Sequence, residues 1–356
     1  LYILPWHFLH RGKTSDFEHR LPSEARTIVW DELPELIDFA YIALHGRFGE
    51  DGILQGALEL LSIPYLGSSI YTSALCMDKQ KTNLMLRANG IATPRGIVIE
   101  EGEIIAQKSI AVILAELSAQ QISAPWVIKP HKEGSSLGVT IAGTPDELAA
   151  AIFKAAYVHP TTAQSVLVEE CITGMEFSCI VLEDYKKGSY LPLPPTEVVP
   201  EKGSALFDYE QKYMPGRAMK YTPARCSQEV LAAIQATCVR VMELFDIATI
   251  GRIDGFVDTN GNIIIVDPNT FSGMAPSSFL FREAAEIGMS HCQLINHLIE
   301  TDLARYGILS TIEQQEEKER TMMEQTDKKL RVGVLMGGAT HEREISLESG
   351  RNVTYK

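Results

Sequence analysis

A hairpin signal in the range 252–269 constrains the fold more than any other part of the sequence. Two β-rich runs are joined there by Asn260-Gly261, and Asn-Gly between such runs is the strongest short-range indication of a hairpin with a two-residue turn. If these two residues form the turn, counting outward places Asp254 directly opposite Asp267. The sequence therefore predicts an antiparallel hairpin with two carboxylates facing each other across its strands.

The acidic pair needs a compensating charge, because like charges directly opposite in a ladder repel. Arg252, whose partner in the same count is Asn269, is one candidate, and a divalent cation is the other. Two aspartates and an asparagine are hard oxygen ligands suited to Mg²⁺, whereas the alternative is a solvated acidic face. The small-residue loop 269–274 follows directly and can approach a ligand closely, which favours metal binding.

Strand and helix signals follow one another through most of the chain, which predicts an α/β fold. Strands are expected at 37–44, 126–129, 164–169, 175–182 and 330–336, and helices at 73–88, from 145, at 227–245, at 290–307 and from 342. The helix that begins at Pro145 carries a cap at Thr144 and a capping-box acid at Glu147.

Charge and hydropathy exclude two classes of partner. The chain has 32 lysines and arginines against 46 acidic residues, a net charge of −14, which argues against a groove for nucleic acid. The longest uncharged apolar run, 110–115, is far shorter than the roughly 20 residues that cross a bilayer. We therefore expect neither a nucleic-acid nor a membrane partner.

Six cysteines are scattered without a C-x-x-C pair. This spacing predicts buried free thiols in a reducing compartment rather than zinc sites or disulfides.

A lysine and a glycine-serine loop form a candidate phosphate site. Lys129 ends a strand, and the loop 131–138 behind it contains two glycines and two serines; such a loop can donate backbone N–H groups to phosphates. It is not a Walker A loop, and an ordinary surface turn is the alternative.

The strand and turn at 166–176 could bind an adenine and a ribose, or could be a solvated acidic strand. The segment 341–345 lacks the second histidine of H-E-x-x-H, which excludes a zinc-protease site.

Seven ordered segments together resemble the D-alanine–D-alanine ligases of the ATP-grasp superfamily, enzymes that make the dipeptide of peptidoglycan precursors. They are LHGRFGEDG (44–52), SALCMDK (73–79), VIKPHKEGSSLGV (127–139), VLVEECITGMEF (166–177), FDYEQKY (207–213), GRIDGFVD (251–258) and VDPNTFSGM (266–274). The resemblance covers about 37–306 and implies ATP and Mg²⁺ (or Mn²⁺) as cofactors, D-alanine as substrate, a homodimer and a cytoplasmic location.

The resemblance also implies an α/β ATP-grasp architecture of successive units. They are an N-terminal α/β substrate domain at 1–76, a central lid domain at 77–172, a C-terminal catalytic domain at 173–310, an acidic linker at 311–329 and a strand-loop-helix at 330–356.

By the same resemblance, metal and nucleotide roles fall on particular residues. Mg²⁺ would be held by Asp254, Asp267 and Asn269. ATP would be bound by Lys79, Lys129, Ser135, Ser136, Glu169, Ile172, Glu176 and Lys212. The chain departs from the family pattern at three of the surrounding positions, with Asp267 where glutamate is usual, Glu170 where lysine is common and Cys171 where an aromatic residue often packs.

Substrate and catalytic roles are implied in the same way. Glu342 would bind the ammonium of the first D-alanine, His45 its carboxylate, and Ser278 the carboxylate of the second. The catalytic residues would be Glu342, Ser346, Ser135, Tyr213, Arg252 and Gly273. Among these, Arg252 and the Gly273 N–H would stabilise the oxyanion, Ser346 would link Glu342 to Tyr213, and Tyr213 favours an amino acid as second substrate.

The segment 332–350 resembles the first motif of the family but stands near the C-terminus. A window cut from two tandem ligases, a circular permutant, and a sequence assembled out of order are three explanations, of which we expect the first. In a permutant, the strand 332–336 would dock beside the strand 37–44 of the same chain and supply Glu342 to its site.

Two other functions stay open at this point. A ligase with a different acceptor, such as D-lactate or D-serine, would keep nearly every motif. The other is a non-catalytic ATP-binding module, a degenerate copy within a tandem. The presence of intact Arg252, Asp254, Asp267, Asn269, Lys129 and Lys212 argues against it.

Overall fold

The structure is a computed structural model that describes residues 1–10, 14–134, 137–159, 161–200, 218–309 and 330–355. The strands are β1 (Tyr2–Ile3), β2 (Arg26–Thr27), β3 (Phe39–Ile42), β4 (Gly96–Ile99), β5 (Trp126–Pro130), β6 (Thr140–Ala142), β7 (Val166–Glu170), β8 (Gly174–Asp184), β9 (Ser189–Pro192), β10 (Thr196–Pro200), β11 (Ala218–Tyr221), β12 (Ile250–Asp258), β13 (Ile263–Asn269) and β14 (Val332–Leu335). The helices are α1 (Leu21–Glu24), α2 (Leu33–Leu36), α3 (Ile53–Leu60), α4 (Ile70–Met77), α5 (Lys79–Ala88), α6 (Glu101–Ile105), α7 (Ile110–Ala119), α8 (Pro145–Ala156), α9 (Gln228–Phe245), α10 (Phe279–Glu286), α11 (His291–Arg305) and α12 (Arg343–Thr354). Short 3₁₀ turns occur at Trp6–His10, Thr14–Asp16, Glu18–Arg20 and Trp30–Glu32.

Two larger sheets dominate the described part of the chain, which confirms the α/β class. One has the order β4-β7-β5-β6, and the other has the order β11-β10-β8-β12-β13 with β9 paired to β8. All of their pairings are antiparallel. Two small sheets, β1-β2 and β14-β3, complete the described strands.

The four-stranded sheet is covered by α7 and α8, which bury Leu117 and Leu148 against Ile128 of the central strand. The helix α8 begins as the sequence predicted. The Thr144 side chain accepts a hydrogen bond from the Glu147 N–H, and the Glu147 carboxylate accepts one from the Thr144 N–H. This capping box satisfies N–H groups that the first turn of a helix otherwise leaves unpaired.

The larger sheet is buried on both faces along β8. Cys179 and Val181 point into a cluster with α9, while Ile180 and Leu182 point into a cluster with α10 and α11. This is the alternation of side chains that a strand imposes. Because β8 is packed on both faces, it and its neighbour β12 place their polar side chains at defined positions.

The hairpin of β12 and β13 has the predicted register at Asp254 and Asp267, but its turn differs from the prediction. Asp254 pairs with Asp267, as expected. The turn, however, is longer by one residue, because Asp258 pairs through its N–H with Asn262 O and Gly261 takes a left-handed φ of 85°. A register shift after Asp254 leaves Val266 as an extra residue on β13. This bulge, which the sequence did not predict, offsets the extra residue of the turn. Asp254 and Asp267 therefore remain paired.

The helix predicted over 73–88 is in fact two helices, α4 and α5, separated at Asp78. This residue adopts an extended conformation, and its side chain accepts a hydrogen bond from the Lys81 N–H. An aspartate that caps a helix in this way starts a new helix instead of continuing the old one. The break places Lys79 in the first turn of α5, where its side chain enters the cleft described below.

The strand β14 lies parallel to β3, with Val332 opposite Phe39 and Leu335 opposite Ile42. The Arg331 guanidinium donates to the Asp38 carboxylate at 2.8 and 3.0 Å. Docking of this strand beside the 37–44 segment of the same chain is thus confirmed. The linker at 311–329 lies outside the described residues.

Two expectations from composition concern the whole chain. All six cysteines are free, as predicted, and Cys76, Cys179 and Cys238 are buried. The prediction of burial is wrong for Cys292, which is exposed, and only partly right for Cys171 and Cys226, which are half-buried. No helix in the described ranges is both long and apolar enough to cross a membrane.

Candidate active site

A cleft of about 490 Å³ lies between the two larger sheets. The predicted nucleotide and metal residues that line it are Lys79, Lys129, Glu169, Ile172, Glu176, Asp254 and Asp267. These residues come from α5, from both larger sheets and from the β7–β8 turn. The structure therefore brings together seven positions that are spread over 189 residues of sequence, counted from 79 to 267.

Lys129 and Glu169 form a buried ion pair at the floor of the cleft. The Lys129 Nζ atom lies 2.7 Å from Glu169 Oε2, and the side chains are 6% and 2% exposed. The Asn83 amide donates to the other carboxylate oxygen at 2.8 Å. A buried charge is stable only when it is paired and hydrogen-bonded, so Asn83 completes an arrangement that the sequence analysis had missed.

Lys79 joins the loop after β5 to the acidic hairpin. Its Nζ atom donates to the Glu133 backbone oxygen at 2.7 Å and lies 3.7 Å from Asp267 Oδ1. Lys79 and Lys129 both line the cleft, and together they supply positive charge of the kind that binds a polyphosphate.

The Asp254 carboxylate is held by three neighbours. Ser178 donates to Oδ1 at 2.8 Å, the Arg252 Nη2 atom lies 3.0 Å from Oδ2, and the Asn269 amide nitrogen lies 3.4 Å from Oδ2. Arginine is thus one compensating charge for the acidic pair, as one of the two alternatives predicted. Ser178 was missed, because its pairing with Asp254 depends on the register between β8 and β12.

The donor set of the hairpin fits a hard divalent cation. Asp254 and Asp267 are opposite one another, both line the cleft, and their side chains are 21% and 26% exposed. Two carboxylates and an amide match the oxygen ligands of Mg²⁺. Within the described ranges there is no cluster of three or more His, Cys, Asp or Glu residues that could hold a metal. A cation here would therefore complete its coordination with the Asn269 amide, water and substrate oxygens.

A second cavity of about 210 Å³ adjoins Glu342 and the loop residue Gly134. The Glu342 carboxylate packs directly on Gly46, where a Cβ would come within 1.6 Å of Oε2. Gly46 also has a φ of 63°, so glycine is required there for two reasons. The Gly46 N–H donates to Glu50 Oε2 at 2.5 Å, and burial together with the Glu342 charge raises the pKa of Glu50 to about 7.

His45, the residue before Gly46, is buried. Its Nε2 atom lies 2.9 Å from the hydroxyl of Ser349, and its ring centroid lies 6.0 Å from that of Phe271. Burial and the nearby Arg252 charge lower the pKa of His45 to about 4, so the imidazole is neutral at pH 7. Ser349 was missed, although it lies seven residues after Glu342, at a spacing that returns to the same helix face.

The hydroxyl of Ser346 is buried on that face as well. It donates to the Ala43 oxygen at 2.7 Å and accepts from the Gly337 N–H at 2.9 Å. Ser346 thereby connects the loop after β14 to the end of β3. Tyr213, the predicted partner of Ser346, lies outside the described residues, as do Lys212, Ser135 and Ser136.

Ser278 has a buried hydroxyl without a partner among the described residues, and Gly273 lies beside open space. Ser278 is the N-cap residue of α10, and its buried hydroxyl makes no hydrogen bond to the described residues. Space is open where Gly273 would carry a Cβ. An unpaired hydroxyl at the start of a helix suits an anionic group, in line with the predicted carboxylate contact.

Glu170, the last residue of β7, and Cys171, which follows it, also line the cleft. The Glu170 carboxylate accepts hydrogen bonds from the Arg95 backbone at 2.8 Å and from its guanidinium at 3.0 Å. The Cys171 backbone N–H donates to the Pro125 oxygen at 3.3 Å. Glu170 is thus neutralised by Arg95, which lessens the effect of its charge on a nucleotide.

Two family models match the chain in succession. Residues 12–68 match the model described as "D-ala D-ala ligase N-terminus", and residues 85–300 match "D-ala D-ala ligase C-terminus". The segment 330–355 lies outside both matches.

Similar proteins include two curated D-alanine–D-alanine ligases. That of Syntrophotalea carbinolica is 38% identical over 74% of this chain and 78% of its own length, and that of a Synechococcus species is 34% identical over 84% and 85%. The solved D-alanine–D-alanine ligase of Bacillus anthracis in complex with ATP has a TM-score of 0.62 and 29% identity over 78% of this chain and 84% of that one. The VanG D-Ala:D-Ser ligase of Enterococcus faecalis has a TM-score of 0.64 and 32% identity, over 74% and 73%.

Proposed function

The chain belongs to the D-alanine–D-alanine ligase family of ATP-dependent ligases, and from this premise we propose that the described cleft joins two D-alanines through an acyl phosphate. The observation that carries this proposal is the meeting of Lys79, Lys129 and the Asp254–Asp267 pair in one cleft. Opposite charges arranged along a cleft suit a polyphosphate and its cation.

The reaction has two steps in the proposed mechanism. A carboxylate oxygen of the first D-alanine attacks the γ-phosphorus of ATP, which forms the acyl phosphate and releases ADP. The amine of the second D-alanine, after losing a proton, attacks the acyl carbon, and inorganic phosphate leaves. Phosphoryl transfer depends mainly on positioning and charge. Lys79 and Lys129 position the phosphates and balance their charge. Ser135, Ser136 and Lys212 are assigned to the same role from their motifs.

The adenosine part of ATP is assigned to the turn after β7. Ile172 and Glu176 line the cleft there, and Glu169 lies behind Lys129 and orients it. We propose Mg²⁺, or Mn²⁺, at Asp254, Asp267 and Asn269, where it would neutralise phosphate charge.

The substrate roles are proposed from the motifs, and of these residues Glu342 lines the second cavity. Glu342 binds the ammonium of the first D-alanine, and His45 binds its carboxyl group as a neutral donor. Arg252 and the Gly273 N–H stabilise the oxyanion as it develops. Ser278 binds the carboxylate of the second D-alanine, and Ser346, Ser135 and Tyr213 complete the proposed catalytic set.

Phosphate release tests the function directly. We expect ATP-dependent release of phosphate and formation of D-alanyl-D-alanine with D-alanine alone. The similarity to a D-Ala:D-Ser ligase makes D-serine the second candidate acceptor, and D-lactate is the third. Turnover only when D-serine or D-lactate is added would contradict the D-alanine assignment.

The remaining expectations are proposals as well. We propose the domain limits 1–76, 77–172 and 173–310, followed by a linker at 311–329 and the family's first strand-loop-helix at 330–356.

A cytoplasmic location is proposed as well, because the reaction consumes ATP and makes a wall precursor. Fractionation of cells tests that location.

A homodimer is proposed too. Ile53, Leu60 and Tyr71 on the neighbouring helices α3 and α4 are 56%, 89% and 70% exposed, and a second copy would cover such an apolar face. Light scattering of the full chain gives the oligomeric state, and a monomer at micromolar concentration would contradict this proposal.

A further inference from the structure

Ser349 contacts two separate parts of the substrate site. It lies on α12 and is fully buried. Its hydroxyl oxygen is 2.9 Å from His45 Nε2 and accepts a hydrogen bond from the Met274 N–H at 3.2 Å. His45 follows β3, whereas Met274 follows β13, so one hydroxyl joins a histidine to a loop that is 229 positions away in sequence (274 minus 45).

The protons of this contact can be assigned. A serine hydroxyl has one proton to donate and two lone pairs to accept with. One lone pair accepts from Met274, and within the described ranges the acceptor for the proton is His45 Nε2. If Nε2 carried the ring proton instead, the Ser349 proton would be buried without a described acceptor, which is costly. The ring proton of His45 therefore lies on Nδ1.

The same helix holds Met274 from its other side. The Asn352 amide donates to the Met274 oxygen at 2.9 Å. Ser349 and Asn352 are three residues apart and hence on one face of α12. Together they bind both the N–H and the C=O of Met274, the residue that follows Gly273. The orientation of the Gly273–Met274 segment thus depends on α12.

We propose that Ser349 is a positioning residue of the ligase, which holds His45 in its Nδ1–H tautomer and the Gly273–Met274 segment in place so that both donate to one substrate carboxyl group. The proposal rests on the roles of His45 and Gly273 given under the proposed function. Lowering of the His45 pKa by burial and by Arg252 agrees with a neutral imidazole. A neutral Nδ1–H donor can bind a carboxylate or a carbonyl oxygen without giving up its proton.

The tautomer is tested by NMR on the full chain labelled with ¹⁵N-histidine. Long-range ¹H–¹⁵N correlation spectra identify the protonated ring nitrogen, and the spectrum of His45→Gln assigns the signals. We expect the wild-type protein at pH 7.5 to show Nδ1 protonated and Nε2 unprotonated. Ser349→Ala should introduce the Nε2–H form. A wild-type spectrum with a protonated Nε2 on His45 would overturn the proposal, and this result does not depend on whether Ser349→Ala folds.

Kinetics test the positioning role. Ser349→Ala should lower kcat for dipeptide formation by about 10- to 100-fold, since a small misplacement of catalytic groups has effects of this size, and should leave the KM for ATP within twofold. Ser349→Thr, which restores the hydroxyl, should recover the Nδ1–H spectrum and part of the rate. Thr354→Ala is the matched control, because it removes a hydroxyl of the same helix that donates only to the Gly350 oxygen in the described structure.

His45→Gln separates this inference from the proposed function. If His45→Gln kept wild-type kinetics, the substrate role of His45 would be wrong, and Ser349 would lose its catalytic purpose. If His45→Gln were impaired but Ser349→Ala were not, the positioning role alone would be wrong. Equal losses of kcat in Ser349→Ala and Thr354→Ala would point to a general effect on the helix and would also overturn the proposal.

Discussion

Asp254 lies directly opposite Asp267 in the antiparallel pair of β12 and β13, with Arg252 Nη2 3.0 Å from one carboxylate and Lys79 Nζ 3.7 Å from the other. Each carboxylate therefore has a cation of its own. These four residues connect the proposed metal site, the phosphate-binding lysines and the proposed oxyanion site, so changing one of them alters the charge balance of the whole cleft.

Removal of the Arg252 guanidinium should abolish most of the dipeptide synthesis. We expect Arg252→Ala to reduce kcat by about 10²–10³-fold, the usual effect of losing one oxyanion donor. ATP affinity, measured by calorimetry, should change little, because Lys79 and Lys129 remain. Arg252→Lys keeps the charge and should retain more activity than the alanine variant. Activity of Arg252→Ala within threefold of wild type would show that the oxyanion role is wrong.

The acidic pair predicts a dependence on Mg²⁺. Asp267→Asn should lower kcat by at least about 100-fold, because a bound cation supplies several kcal/mol of charge stabilisation, and should raise the Mg²⁺ concentration needed for half-maximal rate. Asp258→Asn is the control on the neighbouring strand, since that carboxylate accepts from the backbone N–H groups of Asn260 and Asn262 in the turn. EDTA should abolish wild-type activity. A metal-independent rate would contradict the proposed site.

Breaking the buried Lys129–Glu169 pair should destabilise the protein. Among the described residues, Lys129→Met leaves the buried Glu169 carboxylate with Asn83 as its one side-chain partner, which typically costs about 3–5 kcal/mol. The double variant Lys129→Met with Glu169→Gln removes both charges and should recover most of that stability but not the affinity for ATP. Urea unfolding measures the first effect and calorimetry the second. If Lys129→Met had the same free energy of unfolding as wild type, the predicted cost of an unpaired Glu169 carboxylate would be wrong.

Ser278 should contribute to substrate binding rather than to folding. Its buried hydroxyl makes no hydrogen bond within the described ranges, so Ser278→Ala should leave the free energy of unfolding unchanged or slightly increased. The KM for the second D-alanine should rise by about 10-fold or more, the effect of one hydrogen bond to a charged group. An unchanged KM in steady-state assays would exclude the proposed contact.

Glu283 predicts how stability depends on pH. Its side chain is fully buried and accepts from the Ile180 N–H at 2.7 Å and from Thr196 at 2.9 Å. Burial is the main cause that raises the pKa of Glu283 well above its usual value. Above pH 4.5 the folded state then holds a proton that the unfolded state has lost, so the free energy of unfolding falls as pH rises toward the folded pKa, by at most about 1.4 kcal/mol per pH unit.

The substitution Glu283→Gln should reduce the fall in the free energy of unfolding as pH rises. The glutamine amide can replace a protonated carboxyl group without charge, and the variant should be at least as stable as wild type at pH 8. Urea unfolding at a series of pH values measures the effect. Parallel stability curves for the two proteins would show that Glu283 does not titrate in this range.

Local signals in the sequence were sufficient for several elements. Capping residues predicted the start of α8, apolar residues at helical spacing predicted α9, and the strand expected at 175–182 lies within β8. The break at Asp78 was not predicted, because the same residue types suit a continuous helix and only the extended backbone at Asp78 shows the interruption. The pairing of Asp254 with Asp267 was predicted correctly although the turn was not, because the bulge at Val266 offsets the longer turn.

By itself, the sequence determined the family, the α/β class, the charged residues of the cleft and the pairing of the two aspartates, since these depend on residue type and on short spacings. Only the tertiary structure decided which groups meet across the chain. Asn83 beside Glu169, Ser178 beside Asp254 and Ser349 between His45 and Met274 each join segments that are far apart in sequence. The physical reason is that buried polar atoms must find partners wherever packing brings them, and the packing depends on the whole chain.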